Sequence, residues 1–150
     1  MKFDEEKATC IFTHYLGPCL RQCYGFEDRL AIVFQKGFFD IFQLDENDAT
    51  YCIRNMETSD HEDEIWSLDY DTNRKLILTS AGDNKIKIWT YYKVLVYEVF
   101  LDEGLKETMW FRDCEILVSH NLKILYFKNI GLKITDEEIE EYNNEFLMTH

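Results

Sequence analysis

Short apolar runs rich in β-branched and aromatic residues recur along most of this chain, divided by polar breaks that contain Gly, Asn and Asp. Such runs are strand-like, because these side chains pack well on a pleated, half-buried surface. The pattern predicts strands near 8–14, 19–26, 30–35, 38–44, 49–54, 64–70, 75–80, 85–90, 93–100, 105–111, 114–118 and 122–127. From about residue 131 the period changes. In I-T-D-E-E-I-E-E-Y-N-N-E-F-L, Thr135 and Glu138 have the spacing of a capping box, and the early acids suit the positive end of a helix dipole. Ile139, Tyr142 and Phe146 then fall on one face of a predicted amphipathic helix over about 136–147, a stripe that offers either a cap for a neighbouring sheet or a surface for a partner. The opposite face is strongly acidic and reads chiefly as solvated.

The strand-like runs are arranged in a repeat. Three segments align: C-Y-G-F-E-D-R-L-A-I-V-F-Q-K-G-F-F-D-I-F (23–42), S-L-D-Y-D-T-N-R-K-L-I-L-T-S-A-G-D-N-K-I-K-I-W (67–89) and T-M-W-F-R-D-C-E-I-L-V-S-H-N-L-K-I-L (108–125). Each reads as strand, polar break, apolar strand, tight turn, strand. Taking Phe42, Trp89 and Leu125 as equivalent gives repeats of 47 and 36 residues, which bracket the roughly 40–45 residues of a four-stranded propeller blade. Lys36-Gly37, Asp83-Asn84 and His120-Asn121 supply residues tolerant of positive φ at the turns.

Within the second segment, His61 precedes the first strand, Thr79 lies in the second, Asp83 in the next turn, and Trp89 ends the third. A buried indole N–H needs an acceptor, a hydroxyl both accepts and donates, and an imidazole can bridge hydroxyl to carboxylate. This arrangement resembles a WD repeat, the blade unit of the WD-repeat β-propellers. The resemblance implies a structural hydrogen-bonded network running from Trp89 through Thr79 and His61 to Asp83. The motif's terminal Asp is replaced by Thr90 and the Gly before the histidine by Asp60. The first segment has Ile32, Lys36 and Phe42 at the network positions, so apolar packing replaces the polar chain there; the third shows no network.

Composition narrows the setting. Sixteen Lys and Arg against 29 Asp and Glu give a net charge of −13, which repels nucleic-acid backbones and anionic lipid and favours basic protein surfaces as partners. The five cysteines, Cys10, Cys19, Cys23, Cys52 and Cys114, lack C-x-x-C spacing and read as reduced thiols. No segment approaches the ~18 uninterrupted apolar residues of a membrane span, and no signal-peptide core is present; a cytoplasmic protein is expected.

His61 beside Glu62, Asp63 and Glu64 lacks H-E-x-x-H spacing, and adjacent residues on a strand point to opposite faces, so no metal or other cofactor is inferred. Cys114 with His120, or Cys10 with His14, are pairs that any chain of this composition offers. Arg21, Arg29 and Arg54 are too dispersed for a phosphopeptide pocket. The runner-up function is an intracellular all-β enzyme using His61 and its acidic neighbours.

The expected architecture is therefore all-β: about three four-stranded antiparallel blades of an incomplete propeller within 1–130, then an acidic amphipathic helix and tail in 131–150. Closed propellers use four to eight blades, so two end faces would remain apolar and open, and other protein chains are expected to complete or cover them. The resemblance implies a non-enzymatic scaffold mediating protein–protein contacts in a larger assembly. The divergent, glycine-poor repeats also resemble those of long WD-repeat proteins of cilia and flagella, which implies an axonemal setting.

Overall fold

The computed structural model describes residues 20–27, 29–34, 37–43, 51–53, 60–112, 115–128 and 136–149; at 20, 21, 26, 51–53, 112, 136, 142 and 145–149 the description is of the backbone alone. The strand expected at 8–14 lies outside them. Eleven strands and one helix follow in order: β1 (Leu20–Phe26), β2 (Arg29–Phe34), β3 (Phe38–Gln43), β4 (Tyr51–Ile53), β5 (Ile65–Asp71), β6 (Leu76–Ala81), β7 (Lys85–Trp89), β8 (Leu95–Phe100), β9 (Leu105–Arg112), β10 (Glu115–His120), β11 (Lys123–Phe127) and α1 (Asp136–Thr149). They form three separate antiparallel meanders, β1-β2-β3-β4, β5-β6-β7-β8 and β9-β10-β11. The first two have four strands; the third has three among the described residues.

Burial follows strand position. In β6, Leu76-Ile77-Leu78-Thr79-Ser80-Ala81, every residue is buried, as a strand covered on both faces requires. In β8, the outer strand of the middle sheet, most side chains are exposed. A register irregularity recurs at the start of each first strand, between Leu20 and Gln22, Ile65 and Ser67, and opposite Ser119–His120 in β9. The repetition of this bulge makes the three sheets copies of one unit rather than parts of a single sandwich.

The cross-strand register also corrects the sequence alignment. Trp89 pairs with Ile77, and Phe42 with Leu30, but the residue in the matching place of the third sheet is Phe127 opposite Ile116, two positions beyond Leu125. From Phe42 to Trp89 is 47 residues and from Trp89 to Phe127 is 38. The turn His120-Asn121-Leu122-Lys123 is shorter than Ala81-Gly82-Asp83-Asn84-Lys85, which a gap-free alignment of the two hairpins hides.

Two apolar seams join the sheets. Ala31, Val33, Phe39 and Ile41 meet Ile65, Leu68, Ile77 and Trp89 between first and second sheets. Leu76, Leu78, Ile86 and Ile88, on the other face of the middle sheet, meet Leu105, Ile116 and Val118 of the third. Backbone clasps reinforce both. The His61 N–H donates to the Gly37 carbonyl at 2.9 Å, and the Leu101 N–H to the Asn84 carbonyl at 2.8 Å; Gly37 (φ 83°) and Asn84 (φ 63°) hold matching left-handed positions at their hairpin tips. A Cβ on Gly37 would lie 2.2 Å from the His61 carbonyl oxygen, so glycine is required there for close approach as well as for φ.

The two end faces differ. On the face of the first sheet turned away from the second, Ile32 and Phe42 are only 1% and 7% exposed. On the outward face of the third sheet, Ile124 and Tyr126 are 76% and 43% exposed.

The helix begins at Asp136 as expected and runs two residues past 147. Thr135 lies outside the described residues. Ile139 is buried in the seam between second and third sheets, because burying an isoleucine on an available apolar seam removes it from water, so at that position the helix faces its own sheets. The side chains of Tyr142 and Phe146 lie outside the described residues.

Candidate functional site

The four residues singled out in the second repeat are brought together. Trp89 Nε1 donates to Thr79 Oγ1 at 2.9 Å, Thr79 Oγ1 lies 2.7 Å from His61 Nε2, and His61 Nδ1 lies 3.1 and 3.2 Å from the two Asp83 carboxylate oxygens. Strand pairing positions them. Thr79 and Trp89 share the face of the middle sheet that meets the first sheet, Asp83 sits in the intervening turn, and the clasp on Gly37 fixes the backbone of His61. One proton arrangement satisfies every group: indole N–H to hydroxyl oxygen, hydroxyl O–H to Nε2, and Nδ1–H to carboxylate.

Asp83 also accepts the backbone N–H of Glu62 and of Lys85, each at 3.0 Å. Burial alone would push its carboxyl up, but the hydrogen bond and charge of His61, with those two backbone donors, overrule burial and hold it down at about 2. The rings pack edge-on, Phe39 to Trp89 with centroids 5.2 Å apart.

A second polar cluster lies beside the first, and the sequence reading passed over it. Asp60 and Lys93 form a buried ion pair at 2.9 Å. Asp60 Oδ2 also accepts the Phe39 N–H at 2.9 Å, Lys93 Nζ donates to the Phe39 carbonyl at 2.6 Å, and Lys87 Nζ donates to the Asp60 carbonyl at 2.6 Å. Burial raises the Asp60 carboxyl above its usual range, and the attraction and hydrogen bond of Lys93, the Phe39 N–H and the charge of His61 only partly offset it. Arg29, also buried in the seam between first and second sheets, donates from Nη1 to the Tyr91 carbonyl, from Nε to Gln43 Oε1 at 3.1 Å, and stacks on the Tyr91 ring. The available signal was Asp60 itself, an acid where the motif carries glycine; its partner, 33 residues on in the turn before β8, has no local pattern to mark it.

The groups invoked by the enzymatic alternative are disposed differently. His61 is 1% exposed, with both ring nitrogens engaged. Glu62 and Asp63 point to solvent, and Asp63 Oδ1 accepts the Glu64 N–H at 2.8 Å. Among the described residues no three His, Cys, Asp or Glu side chains are grouped as metal ligands. His120 Nε2 lies 3.0 Å from the Asp102 carbonyl, while Cys10, His14 and Cys114 lie outside the described residues. A cavity of about 650 Å³ between the β5–β6 hairpin and β9, lined by Asp69, Asp71, Arg74, Met109 and Trp110 among others, does not include His61.

No protein-family profile matches the chain, and no curated protein matches it in sequence. Solved structures do. The β-propeller domain of Cps50 (Swd1) from Myceliophteria thermophila superposes with a TM-score of 0.57 at 15% identity, over 77% of this chain and 41% of that one. The WD40 β-propeller domain of Doa1 gives 0.57 at 15% identity, over 73% and 38%, and the computationally designed protein Ika4 gives 0.57 at 12%, over 73% and 65%. The chain thus spans from about two fifths to two thirds of the length of these proteins. At such identities the likeness establishes the fold: three stacked antiparallel sheets of a WD-repeat-like β-propeller, not closed into a ring.

Proposed function

We propose that this chain is a non-enzymatic scaffold, a WD-repeat-like propeller portion that binds other proteins within a larger assembly. The observation that carries the reading is the outward face of the third sheet, where Met109, Phe111, Ile124 and Tyr126 stand exposed together. Soluble proteins rarely leave such a contiguous apolar patch without a partner. The net charge of −13 favours a basic or neutral protein surface over nucleic acid or anionic lipid, and no described helix is long and apolar enough to cross a membrane.

The enzymatic alternative needs a histidine that substrate can reach, and the burial and full engagement of His61 speak against it. The same geometry supports a structural role for His61, Thr79, Asp83 and Trp89. We assign the propeller portion to about 1–130 and the remainder, 131–150, to an acidic helical appendage, a division supported by the exposed Glu137, Glu140 and Glu141 and by the docking of Ile139. A scaffold of this kind suits many assemblies; a ciliary or axonemal one draws on the character of the repeats alone.

Gentle purification of the tagged full chain from its own cells, followed by light scattering, tests the reading. A complex with other polypeptides in fixed ratio is expected. A monodisperse monomer that melts sharply with no polypeptide bound would overturn it.

A further inference from the structure

We propose that the outward face of the third sheet is a docking site for a β-sheet of another polypeptide, laid on it as the third sheet is laid on the second. This rests on the scaffold reading and names the surface and the kind of partner. The argument is continuity of an existing interface. Leu68 pairs with Thr79 and Thr108 pairs with Val118 at the same distance from the recurrent bulge, so positions match across the two sheets. In that register Leu117, Ile124 and Tyr126 stand where Leu78, Ile86 and Ile88 stand in the middle sheet. The middle-sheet residues are at most 1% exposed because the third sheet covers them, and their counterparts Ile124 and Tyr126 are open.

The residues that differ define the occupant. On the middle sheet, Ser67 Oγ accepts the Thr108 N–H at 3.0 Å and Asp69 Oδ2 accepts the Trp110 N–H at 2.8 Å, so side chains of one inner strand satisfy the backbone of the next. The matching positions of the third sheet are Glu107 and Met109. Methionine offers no carboxylate, so the incoming inner strand meets an apolar, adaptable side chain where Asp69 would have accepted its N–H. The partner strand therefore presents an apolar side chain there and satisfies its own backbone.

A second copy of this chain fits poorly. In the second-to-third seam, Leu78, Ile86 and Ile88 meet Leu105, Ile116 and Val118, with Trp110, Leu125 and Phe127 packed against them, so branched aliphatic side chains face aliphatic and aromatic ones. Two third-sheet faces would bring Met109, Ile124 and Tyr126 against their own kind, with −13 on each copy. A different, less acidic polypeptide, whose sheet carries branched aliphatic and aromatic residues on its inner face as the third sheet does toward the second, satisfies both constraints.

A photo-crosslinking amino acid placed at position 124 or 126 of the full chain, with exposed Thr72 as control, tests this in the cells the chain comes from. The expected crosslinks from 124 and 126, absent from 72, fall on one other polypeptide, on alternate residues of adjacent strands. Ile124→Asp, at a position 76% exposed, is expected to leave the melting temperature unchanged while weakening recovery of that polypeptide about ten-fold or more. Crosslinks to a second copy, to this chain itself or to a helical segment, or no crosslink, overturn the inference. If partners co-purify while positions 124 and 126 give nothing, this inference fails and the scaffold reading stands; if no polypeptide co-purifies, both fail.

Discussion

Replacing Asp83 with alanine removes the acceptor for three donors: His61 Nδ1 and the backbone N–H groups of Glu62 and Lys85. The Glu62 amide is exposed and finds water; the imidazole, 1% exposed, does not. Leaving a buried donor unpaired costs about 1–3 kcal/mol. The carboxyl gives a second route to the magnitude. Its fall from 3.8 to about 2 on folding corresponds to roughly 2 kcal/mol favouring the ionised folded state, at about 1.4 kcal/mol for each pH unit and with some loss to solvent screening. The two routes agree on about 2 kcal/mol, or about 4–8 °C in melting temperature for a chain of this size.

The pH dependence distinguishes this network from simple packing. A carboxyl whose folded pKa is depressed contributes fully above its unfolded value of 3.8, and the contribution disappears as pH falls through about 2. Urea unfolding of the wild-type chain and Asp83→Ala should therefore show a gap that is constant from neutral pH to about pH 4 and narrows below it. A variant within about 0.3 kcal/mol of wild type at neutral pH, well inside the scatter of surface substitutions, would refute the reasoning. So would a gap that does not change with acid.

Thr79→Val keeps the shape of a fully buried residue but orphans Trp89 Nε1 and His61 Nε2, and should cost about 2–3 kcal/mol; the double variant with Trp89→Phe should cost less than the sum of the singles when both are measured by urea titration. Lys93→Met leaves Asp60 buried without its cation and should destabilise by about 3–5 kcal/mol near neutral pH. Because the folded Asp60 carboxyl lies above 3.8, its ionisation opposes folding as pH rises through that window, so the Lys93→Met deficit should shrink in mild acid, the opposite trend to Asp83→Ala. Gly37→Ala meets the His61 carbonyl and adopts a left-handed φ, and should lower the melting temperature more than alanine at Gly25, where nothing lies within 4 Å.

The strands were legible because alternation and β-branched content report local burial, and all eleven strands among the described residues fall within two residues of their expected ends at both termini. The four-residue network was legible because its members are polar groups of unusual type at fixed offsets within a single repeat. Asp60–Lys93 was not, since a contact between the loop before one strand and the turn before another leaves no periodic trace. Phe127 was missed for a different reason: two hairpins of unequal length share a pattern but not a spacing, and only hydrogen-bond register tells which residue closes the unit.

The two clusters in the seam meet on one residue. Phe39 donates its N–H to Asp60, gives its carbonyl to Lys93 and sets its ring edge-on to Trp89. The chain from Trp89 to Asp83 holds His61, and with it the loop that carries Asp60 and the clasp on Gly37. A network that looks internal to the middle sheet therefore acts on the first sheet: it fixes the loop onto which β3 docks. The third sheet is held otherwise, by an apolar seam and by two side-chain acceptors on β5, with its far face open. The seam between first and second sheets is thus pinned by polar geometry, whereas the far face of the third sheet offers adaptable apolar packing, the surface on which the proposed partner sheet would add.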